Sequence, residues 1–194
     1  MSELMTPAEA LERVFARLPA QAGVVCANGY ISREAYGVQD RPGSFYMIGS
    51  MGLAPSIALG AAMARPGTPL VVLDGDGNLL MGMGALAVIG SVAPRNLHHV
   101  CIDNGVYAST GNQPTVAPAV RLEGIARESG YAWSGKVETL AALERELEGF
   151  FQRPGPAFLR VMVAVQPHPR QFPRVEVGPV AMRDRFMGAL AAAR

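Results

Sequence analysis

Asp76, between two glycines in the run VVLDGDGNLL, is the residue whose setting most directly suggests chemistry. An apolar stretch ends here and a helical pattern begins near Asn78, which predicts a strand-to-helix junction. Gly75 and Gly77 let a ligand approach the backbone closely, and the free N–H groups of a helix N-terminus attract anions such as phosphate. A carboxylate at this point suits a hard cation that bridges protein and phosphate oxygens. The alternative is that Asp76 only caps the helix.

Asn104 follows the next apolar stretch, 28 residues after Asp76. A strand–helix–strand crossover of this length brings the two side chains to the ends of neighbouring parallel strands. A carboxylate, an amide oxygen and a free backbone carbonyl are ligands that suit Mg²⁺, with other positions left for diphosphate and water. The alternative here is an ordinary Asn-Gly turn.

The elements that must position these residues alternate between strand and helix. Apolar runs predict strands over 23–27, 44–48, 69–73, 97–102, 131–134 and 157–165. Helical patterns cover a stretch capped by Thr6, a turn at 32–36, and 53–64, 79–92, 122–129, 137–151 and 180–193. This order predicts an α/β fold with a doubly wound, mostly parallel sheet and helices on both faces. Ligands of such sheets bind at the carboxyl ends of the strands, where polar or glycine-rich breaks occur at 28–29, 49–52, 74–78 and 103–105.

Composition limits the function classes. The chain has 194 residues, 49% of them hydrophobic, which predicts one domain over 1–194 with a Pro-rich linker at 167–179 and a closing helix. A net charge of +1 argues against nucleic-acid binding. The charge-free stretches 45–64 and 77–94 are interrupted by polar residues and glycines, which favours buried helices over membrane spans. Without a signal peptide, and with Cys26 and Cys101 inside apolar runs, the chain is expected to be cytoplasmic with free thiols.

The pair GDGN and DNGVY resembles the cofactor motif of thiamine-diphosphate-dependent enzymes. The resemblance implies that Mg²⁺ is held by the side chains of Asp76 and Asn104 and by the main-chain carbonyl of Val106. Tyr107 stands at a position that is often aromatic in this family. Asp103 departs from the first Asn of the motif, whose side chain is not a ligand.

Upstream, FYMIGSMGLAPSIALGAAMA resembles the segment that precedes GDG in decarboxylases of this family. It implies that the Gly49 carbonyl accepts from the 4′-amino group of the cofactor and that Met51 holds the cofactor in its V shape; both residues would thus take part in cofactor activation. Asn28 and Gly29 align with a loop on the diphosphate side. The residues assigned in this way to cofactor binding are Asn28, Gly29, Gly49, Ser50, Met51, Gly75, Asp76, Gly77, Asn78, Asn104, Val106, Tyr107 and Ser109.

SREAY, RPGSFYMIGSMG and DNGVYASTGNQPT resemble segments of sulfopyruvate decarboxylase β subunits and phosphonopyruvate decarboxylases. This resemblance implies a diphosphate- and Mg²⁺-binding subunit that decarboxylates a small anionic 2-oxo acid to an aldehyde. In this family the catalytic glutamate belongs to a pyrimidine-binding domain, so we expect a pyrimidine-binding α-type partner subunit to supply it. We interpret Glu34 and Glu123 as solvated helix acids, and His98 and His99 as a solvated strand start.

Three alternatives stay open at this point. YASTGNQPT is also similar to the β subunit of 2-oxoacid:ferredoxin oxidoreductases, but two cysteines cannot ligate an iron–sulfur cluster. A nicotinamide-binding fingerprint fails because Leu80 stands where its third glycine belongs. A non-catalytic partner-binding module would bind no thiamine diphosphate.

Overall fold

The computed structural model describes residues 4–166 and 172–193. The strands are β1 Gly23–Cys26, β2 Ser44–Tyr46, β3 Leu70–Gly75, β4 Leu97–Asp103, β5 Val106–Tyr107, β6 Gln113–Pro114, β7 Trp133–Val137 and β8 Ala157–Met162. The helices are α1 Pro7–Arg17, α2 Tyr30–Val38, α3 Ala54–Ala64, α4 Asp76–Met81, α5 Gly84–Val92, α6 Leu122–Glu128, α7 Leu140–Phe150 and α8 Pro179–Ala192. Short 3₁₀ turns lie at Ala108–Thr110 and Ala117–Ala119.

Six strands form one parallel sheet in the order β2-β1-β3-β4-β8-β7. Helices cover both faces, because successive residues of each strand point to opposite sides and both sides are apolar. Val24 and Val71 pack with α1 and α7 on one face, while Val25 and Val72 pack with α3 and α5 on the other. The predicted fold class is confirmed.

Several predicted bounds were wrong for reasons of tertiary packing. The single helix expected over 79–92 is two helices, and it is interrupted at Gly82, where the backbone of Gly52 packs closely against it. Residue Val137 ends β7 instead of opening a helix, and α7 begins after its cap Thr139. The β5–β6 ribbon was not predicted. By contrast, Thr6 caps α1 in the expected way, with Glu9 completing the capping box.

The C-terminal part of the predicted linker lies against the sheet domain. Residues 167–171 fall outside the described residues, and 172–178 are irregular. The Phe172 carbonyl accepts from Arg33 Nη2, and α8 starts at Pro179, one residue before the predicted start. Arg185 of α8 forms a bidentate ion pair with Asp40 after α2. Among the described residues, none of the helices has the length and apolar character that crossing a membrane requires.

The two histidines that open β4 are buried, not solvated as predicted. His98 and His99 are 2% and 0% exposed. His99 Nε2 lies 3.2 Å from Asp74 Oδ2, and His98 Nε2 lies 3.1 Å from the Arg153 carbonyl. β4 is central in the sheet, so even its first residues lie beneath helices. Cys26 and Cys101 are free and buried, as expected.

Candidate functional site

One cavity lies at the carboxyl ends of β1, β3 and β4, where the sheet geometry predicts a ligand site. Ten of the residues assigned from sequence line it: Asn28, Met51, Gly75, Asp76, Gly77, Asn78, Asn104, Val106, Tyr107 and Ser109. The remaining lining residues are Pro7, Tyr30, Ile31, Glu34, Ile102, Ala108 and Gln166. Gly29 adjoins the cavity without lining it, whereas Gly49 and Ser50 line a separate small pocket beside β2 and α8.

Asp76 and Asn104 are brought together by the register of β3 and β4. Gly75 pairs with Ile102, so the residues after each strand emerge side by side. The Asp76 carboxylate, 2% exposed, lies close enough to the backbone N–H groups of Asn104 and Gly77 for them to lower its pKa. It also accepts a 2.6 Å hydrogen bond from Thr115 Oγ1. The Asp76 carboxylate therefore lies beside the backbone of Asn104, the other residue predicted to hold the cation.

Burial raises the pKa of Asp76 to about 6, against the effect of the Thr115 hydrogen bond, and the nearby charge of Asp103 raises it further. A buried carboxylate with a raised pKa is stabilised in its ionised form by a cation placed beside it. Among the described residues, no positively charged side chain contacts Asp76 directly. The surroundings of Asp76 therefore favour a bound cation.

The Val106 carbonyl takes no part in the hydrogen bonding of the β5–β6 ribbon. Pro114 lies opposite Val106 in a pair that is not hydrogen-bonded. The adjacent ribbon hydrogen bond runs from the Thr115 N–H to the Gly105 carbonyl, so the Val106–Pro114 pair points its own backbone groups away from the ribbon. The Val106 N–H donates instead to Asn104 Oδ1, which orders the loop between the two residues.

The start of α2 forms the opposite wall of the cavity. Gly29 has φ +84° and ψ −139°, a conformation that only glycine adopts readily, and Ser109 Oγ would lie 3.4 Å from a Cβ placed there. No side chain caps this helix, so its first N–H groups are open to a ligand. Asn28 Oδ1 is buried and accepts no hydrogen bond from any residue in the described part of the chain.

The loop 49–52 is fixed by contacts with α4, and only Met51 of the predicted cofactor-activation pair lines the cavity. Asn78 Oδ1 accepts from the Gly52 N–H at 3.2 Å, and Asn78 Nδ2 lies 3.5 Å from the Asn28 carbonyl. Gly52 has φ +92° and packs backbone to backbone against Gly82. These contacts hold the loop that carries Met51 near the carboxyl ends of β1 and β3.

Tyr107 covers the start of α4. A Cβ at Gly77 would collide with the Tyr107 ring, so the absence of a side chain at Gly77 lets the ring lie directly on the helix. The glycine after Asp76 therefore serves packing within this chain, in addition to any approach of a ligand.

The interpretation of Glu34 and Glu123 as solvated acids was wrong. Glu34 is 4% exposed and lines the cavity, and burial raises its pKa to about 7. Glu123 forms an ion pair at 3.1 Å with Arg160, which also pairs with Asp103. The pattern SREAY is too short for its periodicity to show which side of the helix is covered by α1 and Gln166.

The donor set fits a hard cation with a diphosphate. The cavity combines one carboxylate, one amide oxygen and one free carbonyl with open backbone N–H groups, which are the groups that hold Mg²⁺ and phosphate oxygens. The unpaired Asn28 Oδ1 shows that a polar partner is missing at the same wall. No group of three or more His, Cys, Asp and Glu side chains that could hold a metal is present in residues 4–166 and 172–193.

Comparison with known proteins agrees with this geometry. Residues 23–161 match the family model described as thiamine pyrophosphate enzyme, C-terminal TPP binding domain. Phosphonopyruvate decarboxylase of Streptomyces viridochromogenes is 42% identical over 91% of this chain, which spans only 44% of that relative's length. Sulfopyruvate decarboxylase subunit beta of Methanothermobacter thermautotrophicus is 36% identical over 92% of both chains. Both relatives are named as decarboxylases or subunits of one.

Solved structures show the same fold. A putative thiamin diphosphate-dependent enzyme from Mycobacterium smegmatis superposes with a TM-score of 0.71 at 24% identity, over 83% of this chain and 32% of that one. Benzoylformate decarboxylase from Polynucleobacter necessarius gives a TM-score of 0.67 at 20% identity, over 84% and 34% of the two chains. The chain therefore belongs to the family of C-terminal thiamine-diphosphate-binding domains of thiamine pyrophosphate enzymes.

Proposed function

We propose that this chain is the diphosphate- and Mg²⁺-binding subunit of a thiamine-diphosphate-dependent decarboxylase that converts a small anionic 2-oxo acid to an aldehyde. The observation that carries the proposal is that Asp76 and Asn104 line one cavity, with the Asp76 carboxylate beside the Asn104 backbone N–H. The similarity to sulfopyruvate decarboxylase subunit beta over 92% of both chains supports the reaction class. We further propose that residues 1–194 form a single domain and act in the cytoplasm, in line with the free thiols of the described strands.

The residues of this chain would hold and orient the cofactor. Mg²⁺ would be bound by Asp76, Asn104 and the Val106 carbonyl, and the diphosphate by Ser109 and the N–H groups at the starts of α2 and α4. Met51, whose loop is fixed by the Gly52–Asn78 hydrogen bond, would pack against the cofactor. When bound, thiamine diphosphate supplies an acceptor for the electrons released as CO₂ leaves.

The pyrimidine side of the cofactor would be completed by an α-type subunit. Three large apolar side chains around the loop 49–52 and the end of α4 are exposed: Ile48 by 76%, Leu53 by 50% and Met81 by 62%. Large apolar side chains exposed on loops near a ligand site are typical of a surface that another protein covers. We propose that the partner covers them and brings the catalytic glutamate, while Gly49 presents its carbonyl to the pyrimidine.

Calorimetry with thiamine diphosphate and Mg²⁺ tests the proposal directly. We expect the purified chain to bind the two together, and Asp76→Asn to weaken binding at least ten-fold, since even residues that only support metal ligands contribute factors of about 10–100. Asp184→Asn, at an exposed position of α8, is the matched control and should bind like the wild type. An unchanged affinity in Asp76→Asn would contradict the proposal.

The reaction itself is tested with the assembled enzyme. Sulfopyruvate, phosphonopyruvate and other small 2-oxo acids are offered to the chain alone and to the chain with its co-purified α-type subunit. We expect CO₂ release only from the assembled enzyme, and full turnover by the isolated chain would contradict the shared active site.

A further inference from the structure

Arg160 of β8 is a buried guanidinium that lies behind the candidate cation site. It is 5% exposed and pairs in the sheet with Cys101. Its Nε and Nη2 both lie 2.7 Å from Asp103 Oδ2, and Nη1 lies 3.1 Å from Glu123 Oε2. Nη1 and Nη2 also donate at 2.9 Å to the carbonyls of Val120 and Ala117. The side chain is thus joined to β4, to the 3₁₀ turn at Ala117–Ala119 and to α6.

Through Asp103 the guanidinium reaches the loop that carries Asn104 and Val106. Asp103 directly precedes Asn104, and while its Oδ2 pairs with Arg160, its Oδ1 accepts from the Gly105 N–H at 3.0 Å. A carboxylate held at both oxygens fixes the backbone direction at the end of β4. The next two ligating groups in the chain, the Asn104 amide and the Val106 carbonyl, take their position from that direction.

Through the turn at Ala117 the same guanidinium reaches Asp76. The Ala117 carbonyl accepts from Arg160, and the Ala117 N–H donates to Thr115 Oγ1 at 3.2 Å. Thr115 Oγ1 in turn donates to Asp76 Oδ2 at 2.6 Å. Two short chains of hydrogen bonds therefore run from Arg160 to the candidate ligands, one through Asp103 and one through Thr115.

Charge gives a second reason for an arginine at this position. Asp103 is 1% exposed and Asp76 is 2% exposed, so two acids are buried close together at the ends of neighbouring strands. An unpaired buried carboxylate is strongly unfavourable, and it is stabilised only by a well-placed partner with further hydrogen bonds. Arg160 compensates Asp103, which leaves the charge of Asp76 available to an incoming cation.

We propose that Arg160 is a positioning residue for the divalent cation: paired with Asp103, it fixes the two loops that supply Asp76, Asn104 and the Val106 carbonyl. This inference rests on the proposed function, because it assumes that these groups bind Mg²⁺. Asp103, which stands where the family motif usually has Asn, makes the arginine necessary in this chain. Both residues act without touching the cation.

The test measures Mn²⁺ affinity by electron paramagnetic resonance on the full chain with thiamine diphosphate present, next to thermal unfolding of each variant. Removing a group that orients metal ligands typically weakens metal binding about 10–100-fold. We expect a loss of at least ten-fold in Arg160→Met. A smaller loss is expected in Arg160→Lys, which keeps the charge but not the planar fork.

The double variant Asp103→Asn with Arg160→Met separates positioning from stability. It removes the charges of Asp103 and Arg160 together, and only the less buried Glu123, which also pairs with Arg121, loses a partner. We therefore expect the melting temperature to recover most of what Arg160→Met loses. Mn²⁺ affinity should stay low, because both routes of hydrogen bonds remain broken. This variant also carries the test, together with Arg160→Lys, where Arg160→Met fails to fold.

Arg185→Met is the matched control, since it breaks a bidentate Arg–Asp pair on α8 away from the cavity. It should lower the melting temperature and leave Mn²⁺ affinity within two-fold of the wild type. Wild-type affinity in Arg160→Lys and in the double variant would overturn the inference, as would a double variant that recovers affinity together with stability. A wild-type chain that binds no Mn²⁺ with thiamine diphosphate would overturn the proposed function, and this inference with it.

Discussion

Glu34 is buried at the wall of the cavity, on α2, and burial raises its pKa to about 7. The residue lines the same space as Asp76 and Asn104, so a cofactor bound there would lie near a carboxyl group that is partly protonated at neutral pH. A neutral carboxylic acid can donate a hydrogen bond, whereas its anion repels a phosphate. The ionisation of Glu34 therefore affects both the charge inside the cavity and the free energy of unfolding.

Glu34→Gln is expected to stabilise the ligand-free chain at alkaline pH. Below about pH 4.5 the acid is protonated in both states; between pH 4.5 and 7 only the unfolded chain releases the proton, so the free energy of unfolding falls as pH rises. Above pH 7 the cost is fully present, about 2–4 kcal/mol for a shift of this size. Urea unfolding at pH 5 and pH 8 should show the gain in Glu34→Gln mainly at pH 8.

Glu128→Gln, on the exposed side of α6, is the control for this experiment. Its free energy of unfolding should change by less than about 0.5 kcal/mol at either pH, as is usual for surface substitutions. An equal gain at pH 5 and pH 8 in Glu34→Gln would contradict the role of ionisation.

Single residues differed in how far the sequence could reveal them. Asp76 and Asn104 were found because their neighbours in the chain, glycines and strand ends, already define their setting. Arg160 gives no such sign, because it stands in an apolar strand and its partner Asp103 is 57 residues away. Glu34 lines the cavity together with Pro7 and Gln166, which are distant in sequence, and local periodicity does not show this arrangement.

At the scale of elements, the junction between α4 and α5 depends on a contact between two glycines. Any side chain at Gly82 would overlap the carbonyl of Gly52, whose own φ is +92°. The apolar pattern of 79–92 continues through this point. The poor helix propensity of Gly82 and Gly84 permits the interruption, and the contact with Gly52 fixes it at Gly82. The contact ties the loop that carries Met51 to the helix that begins at Asp76.

Gly82→Ala is expected to weaken both the fold and the cofactor site. Inserting a methyl group into a close backbone contact typically costs about 1–3 kcal/mol, and relief requires the loop 49–52 to move away from α4. Gly84→Ala is the matched control two residues later, because a Cβ there meets no atom within 4 Å. Chemical unfolding and calorimetry with thiamine diphosphate should show losses in Gly82→Ala only. Equal behaviour of the two variants would contradict this account.

Most elements could be predicted because their signals are local. The Thr6–Glu9 capping box and the apolar runs of β1, β3 and β4 led to the correct fold class. The β5–β6 ribbon was missed, since its strands have two residues each and carry almost no periodicity. The Val106 carbonyl itself was expected as a ligand from the family resemblance, whereas the ribbon that presents it was not predicted.

At the scale of the whole molecule, three exposed apolar side chains mark the surface that the proposed partner subunit would cover. Ile48 is 76% exposed and stands three residues before Met51, while Met81 is 62% exposed at the end of α4. Their side chains contribute little to the stability of this fold. Under the proposed function, they would be buried against the partner subunit.

Ile48→Lys is expected to weaken assembly without weakening the fold. A charge placed in the apolar centre of an interface opposes its desolvation, so we expect the affinity for the α-type subunit to fall at least ten-fold. The melting temperature and the binding of thiamine diphosphate by the isolated chain should stay as in the wild type. Met187→Lys, 61% exposed on α8, is the control. Unchanged co-purification of Ile48→Lys with the α-type subunit would contradict this assignment.

The exposure of Ile48, Leu53 and Met81 affects how long the unassembled chain persists in the cell. When the subunit is made in excess of its proposed partner, these apolar side chains stay exposed to water. Exposed apolar surface promotes aggregation and recognition by chaperones and proteases. Balanced synthesis of the two polypeptides would then set how much of this chain persists, and its turnover would slow as soon as the complex forms.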